Sequence, residues 1–96
     1  MKILAIERDV QGVPGGAFTA ALKKAEAARV WELYQGDVIH ELYFRQDQSS
    51  AVLVLECTGV EEASRILAGL PLVAEGLTKF EIIPLAAYPG FARLFR

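Results

Sequence analysis

Few side chains here could move a proton, and strand register decides whether they meet. His40 is the single imidazole of the chain. If the hairpin around it turns about Gln48, His40 stands across from Glu56, Leu42 from Val54 and Phe44 from Val52, which puts an imidazole beside a carboxylate on one sheet face. Glu7 joins them from the first strand, a neighbour of the third in the expected topology. A Glu that orients a His is a working acid/base pair, and a desolvated carboxylate has its pKa raised toward the range useful for general-base catalysis. The expected catalytic set is therefore His40, Glu56 and Glu7, and the structural alternative is an ordinary cross-strand contact. A one-residue slip would instead oppose Glu41 to Glu56 and abolish the pair. Tyr43 and Arg45 have the chemistry to bind a substrate carboxylate, the phenol as a donor and the guanidinium by two parallel bonds. Their alternative, shared by Arg8 and Arg93, is a solvated edge.

Other reactive types read as structural. Cys57 ends an apolar strand with nothing positive beside it in sequence, so it is expected to be a buried, inert thiol. Gly12 to Gly16 lacks the Lys and the following Ser or Thr of a phosphate-binding loop and reads as a turn. One cysteine and one histidine cannot assemble a zinc site, so neither a metal nor another cofactor is expected.

The elements that must position these groups follow from periodicity. Lys2 to Arg8 is an Ile-rich apolar run broken by Gly12-Val13-Pro14-Gly15-Gly16. Residues 17–34 have strong helix-forming content, with Phe18, Leu22, Ala25 and Ala28 predicted as the inward stripe and Gly36 as the stop; Trp31 and Tyr34 near the helix end read as packing residues that help close a pocket. Val38 to Arg45 and Ala51 to Cys57 form a predicted antiparallel hairpin. Thr58 with Glu61 fits a capping box ahead of a second helix whose face is Ala63, Ile66, Leu67 and Leu70 and which stops at Pro71. Lys79 to Leu85 is the last strand, with Pro84 tolerated on a sheet edge. The order βαββαβ predicts one α+β domain over 1–96, ferredoxin-like, with a four-stranded antiparallel sheet and both helices on one face.

Both parities of the strands are apolar: Ile3 and Ala5 beside Leu4 and Ile6, Val52 and Val54 beside Leu53 and Leu55. Two helices shelter one face, so a second copy is expected on the other, making a homodimer or higher homo-oligomer. The 53% hydrophobic content of so short a chain points the same way. The tail, residues 86–96, carries Tyr88, Phe91, Leu94 and Phe95 and is expected either to dock on a neighbour or to fold back over its own helices. A net charge of −2 without a basic run argues against nucleic acid, and the lack of a long apolar segment or a signal-like start argues against membrane and for a cytoplasmic location.

Leu70-Pro71-Leu72, the strand Phe80-Glu81-Ile82-Ile83-Pro84-Leu85 and Tyr88-Pro89 behind it resemble muconolactone isomerase and its small relatives. Gly36 followed by His40, Leu42, Tyr43 and Arg45 is a weaker echo. The resemblance implies a dimeric α/β barrel and, in the true isomerase, cofactor-free proton transfer on a lactone. Two departures, a longer loop between Leu72 and Phe80 and the apolar Ala86-Ala87, fall near the expected pocket rim. The function expected is a small isomerase acting on a lactone or carbonyl-containing acid. Its alternatives are a small-ligand-binding barrel without turnover and a purely structural oligomer.

Overall fold

The computed structural model describes residues 1–95. Four strands, β1 (Lys2–Asp9), β2 (Ile39–Phe44), β3 (Ala51–Glu56) and β4 (Thr78–Pro84), form one antiparallel sheet in the order β2-β3-β1-β4. Helix α1 (Ala20–Gln35) joins β1 to β2 and lies toward β2, while α2 (Val60–Ala68) lies toward β4. A one-turn helix, α3 (Pro71–Ala74), follows α2 and touches α1. This is the ferredoxin-like α+β arrangement expected, and β4, with Pro84 at its end, is an edge strand.

One face of the sheet holds the core. Ile3 and Ala5 of β1, Ile39 of β2, and Leu53 and Leu55 of β3 are buried against Leu33 of α1 and against Ala63, Leu67 and Leu70 in and after α2. On the opposite face, the row Val54, Leu4, Ile83 crosses three strands as direct partners, and Ile6 and Val52 pair beside it. All five are only partly covered.

Several local expectations are corrected. Thr19, through its side-chain oxygen, caps α1, and the inward line of α1 is Leu22, Glu26, Val30 and Leu33, at steps of four, four and three; Ala25 and Ala28 face solvent. Alanine is compatible with either side of a helix, so the alanines could not set its phase. Trp31 and Tyr34 are partly exposed and paired ring to ring at 6.1 Å, and as expected they border a hollow, of about 270 Å³, with Val30 and Leu42. Gly59 rather than Thr58 caps α2, and Glu62 rather than Glu61 reaches back, accepting a bond from the Thr58 N–H at 3.1 Å. Pro71, expected to end a helix, also opens one, since at the first helical position its missing N–H costs nothing.

The hairpin register differs most. Leu42 faces Leu53, Tyr43 faces Val52 and Phe44 faces Ala51, and Ile39 faces Leu55, so His40 is an extra residue with no partner. Ile39 is held in the core, with Val38 bonded through its N–H to Leu33 O (3.0 Å) and through its O to the Glu56 N–H (2.8 Å). Leu42 and Phe44 must face the same side as Ile39, and a regular strand cannot place residues three apart on one face. A bulge at His40 resolves the conflict.

The tail stands away from the domain. Tyr88, Phe91, Leu94 and Phe95 are between 67% and 85% exposed. The radius of gyration is 15.4 Å, against about 12–13 Å for a compact chain of this length. The tail has its own order: Gly90–Phe95 is a 3₁₀ segment, Tyr88 packs over Gly90 and meets the Phe91 ring edge-on at 5.1 Å. A side chain at Gly90 would collide with the Tyr88 ring.

Candidate functional site

Leu33 is the one fully buried residue of α1 and Val30 packs partly against the core, while a cleft opens under the earlier turns. The cleft comprises a hollow of about 290 Å³ bordered by Glu7, Glu26, Val30, Leu42, Phe44 and Phe80. A second hollow of about 680 Å³ shares Glu26, Val30, Phe44 and Leu72 with it and adds Phe18, Lys23 and Thr78. The walls are mainly apolar, the usual character of a small-molecule site.

Three carboxylates border this cleft, Glu7, Asp9 and Glu26, and two of them, Glu26 and Glu7, are each fixed by one backbone bond. The Leu72 N–H donates to Glu26 Oε1 at 2.9 Å, and the Ala51 N–H donates to Glu7 Oε1 at 2.9 Å. Leu72 offers the first free N–H of α3, because Pro71 has none, so Glu26 also satisfies a helix-terminal donor. The second oxygen of each carboxylate accepts no bond from the described residues. Burial holds the Glu26 carboxyl above its ordinary range; the Leu72 bond opposes this and the charge of Glu7 adds to it. Such a group keeps one oxygen free and a pKa displaced toward neutrality, as a general base requires.

Of the residues expected from sequence, Glu7 and Tyr43 border the smaller hollow, although the Tyr43 hydroxyl donates to Glu41 at 3.0 Å, which raises the phenol pKa. Arg45 is engaged by Asp47 through bonds of 2.9 and 2.6 Å, which pin the hairpin loop. Glu56, exposed on the helix-free face, binds the Met1 ammonium, which lowers its pKa; the nearby charge of His40 acts in the same direction but there is no hydrogen bond between them. Cys57 is buried and its thiol pKa is pushed up, chiefly by desolvation. Glu26 was missed because it reads as one of several charged residues on a helix. The signal was present as a carboxylate inside the series Leu22, Glu26, Val30, Leu33, where an apolar residue belongs.

No family model matches the sequence, and no curated protein matches it. Among solved structures, muconolactone isomerase superposes with a TM-score of 0.72 at 21% identity over 93% of this chain and 92% of the other. The chain shares the fold of that isomerase. The 5-chloro-2-hydroxyhydroquinone dehydrochlorinase of Burkholderia phenoliruptrix AC1100, solved with 2,5-dihydroxybenzoquinone, superposes with a TM-score of 0.63 at 15% identity over 94% of this chain and 98% of the other. The resemblance read from the strand and Tyr-Pro motifs thus holds at the level of fold. One architecture carries an isomerase and a dehydrochlorinase, so activity must be argued from the site. Among the described residues no three metal-binding side chains gather, and no helix is long and apolar enough to cross a membrane.

Proposed function

We propose that this chain is a cofactor-free isomerase that moves a proton on a small lactone or carbonyl-containing acid held beneath α1, with Glu26 as the base. The environment of Glu26 carries the reading: a half-buried carboxyl with one oxygen anchored, the other free, and a pKa raised by desolvation. Glu7 shares the smaller hollow with Glu26 and is available to receive or return the proton. Lys23, one turn before Glu26 and bordering the same hollow, supplies positive charge for the oxyanion that forms as the proton leaves carbon. The proton transfer implied by the isomerase resemblance, and the proton loss inherent in any dehydrochlorination, support the same class of step.

The test is hydrogen exchange in D₂O on a panel of unsaturated lactones and cyclic diketones. At least one compound is expected to gain deuterium beside its carbonyl faster than in buffer, with or without net isomerisation; exchange at the buffer rate across the panel leaves the chain a non-catalytic binder. A second arrangement, His40 with Glu56 as the acid/base pair and Tyr43 with Arg45 as the carboxylate clamp, draws on the position of His40 in the bulge next to Ile39, at the end of β3 that carries Glu56. In that case the exchange would be lost in His40→Asn and kept when Glu26 is neutralised.

The proposal includes a homodimer joined through the helix-free face. Its apolar row is bordered by both signs of charge: within the chain Arg8 is held by Glu81 and Glu56 by the Met1 ammonium, and Lys2 and Lys79 with Glu41 are left to set cation against anion across a two-fold copy. The exposed tail is assigned to a neighbouring copy, where its aromatic knob would be covered. Deleting residues 87–96 is expected to lower the assembly size or raise its dissociation constant at least about tenfold by sedimentation; an unchanged assembly removes the tail from the interface.

A further inference from the structure

Two buried side-chain oxygens among the described residues have no hydrogen-bond partner, Ser50 Oγ and Thr78 Oγ1. A buried hydroxyl without a partner forfeits the bonds it would make with water, and native proteins retain few of them. Ser50 borders a different hollow, lined mainly by polar and charged residues such as Arg8 and Gln48 with no apolar wall, and carries nothing further. Thr78 is 5% exposed and borders the larger hollow of the cleft, opposite Lys23 and Glu26 and beside Phe18 and Phe44. It opens β4 on the helix-covered face, in line with Phe80, and pairs with Asp9. Asp9, its partner on β1, and Ser49 border the same hollow, yet neither bonds the Thr78 hydroxyl as it stands, and a valine in the same volume would carry no such penalty.

We infer that Thr78 is a specificity-determining residue, its hydroxyl reserved for a ring hydroxyl or carbonyl oxygen of a ligand whose apolar ring lies between Phe18, Phe44 and Val30. The inference rests on the reading of this cleft as the ligand site and adds the group that tells an oxygen-bearing ring from a hydrocarbon of the same shape. In the observed rotamer Oγ1 is shut off from the hollow; the inferred ligand-bound state uses a different staggered well of χ1, which turns the hydroxyl toward the ligand. A pocket that hydrogen-bonds an oxygen rejects the analogue lacking it far better than an apolar pocket rejects an added oxygen.

Phenol and toluene, equal in shape and differing in that one group, are the probes, titrated into the full chain and followed by the backbone amide resonances of Phe44, Leu72 and Thr78. The wild-type chain is expected to bind phenol about three- to tenfold more tightly than toluene. Thr78→Val should erase that preference, bind toluene at least as well, and melt at a higher temperature; Thr78→Ser should keep the preference. A preference that survives in Thr78→Val, or equal binding of the two probes by the wild type, overturns the assignment of Thr78 and leaves the cleft as the site. If neither probe moves the cleft resonances, the assignment and the reading of the cleft fall together.

Discussion

Glu26→Gln is expected to lower the rate of proton exchange by a factor of about 10²–10⁴, the usual worth of a positioned general base, while making the protein more stable at neutral pH. The amide keeps an oxygen to accept the Leu72 N–H bond and nearly the same volume, so the anchor survives and the titration does not. The stability change follows from linkage. The folded chain holds the Glu26 proton to higher pH than the unfolded chain does, so between the two pKa values the native state binds more protons. Stability from this group is complete below the unfolded value, falls as pH rises through the raised folded value, and stays lower above it. Glutamine carries no such loss. The variant should therefore match the wild type in acid and exceed it at pH 7, with a Tm higher by about 2–5 °C. Wild-type exchange should rise with pH through an apparent pKa above the ordinary carboxylate range. Melting curves at pH 4 and 7 beside the exchange assay give the answer. A variant that loses stability and activity together would make Glu26 a helix-end anchor for α3 alone.

The second large effect is expected on the helix-free face. Leu4 pairs with Val54 on one side and Ile83 on the other, so it is the centre of the apolar row. Within one copy it is only partly covered, so a charge there remains wetted and the fold should persist. Across a two-fold interface the same charge would be buried near its own symmetry mate without a partner, which costs several kcal/mol. Leu4→Glu should therefore raise the dimer dissociation constant by about 10²–10⁴-fold, seen by sedimentation velocity, with an unchanged far-ultraviolet spectrum. A wild-type chain that sediments as a monomer at micromolar concentration, or a variant that associates as before, would return the sheet face to solvent.

Much of the fold was legible because its signals are redundant. Strand β1 is read from its Ile-rich run and from the glycines that break it, and the face of α2 from Ala63, Ile66, Leu67 and Leu70 at helical steps, all buried or partly buried. Helix α1 was legible in extent and illegible in phase, since its alanines fit either side. That phase put Glu26 at the cleft. The apolar tail was visible as a feature, but its projection away from the domain was not.

By itself, the sequence determined the alternation of elements and the apolar character of both sheet faces, because these depend on local period; the edge place of β4, which Pro84 only permitted, came from the sheet order. Tertiary structure decided the register of β2 on β3 and with it the site. Ile39 is claimed by the core while Leu42 and Phe44 turn to the cleft, and only the bulge at His40 reconciles them. A hairpin pattern fixes which residues are apolar; which of them face one another depends on what the other elements leave to be filled.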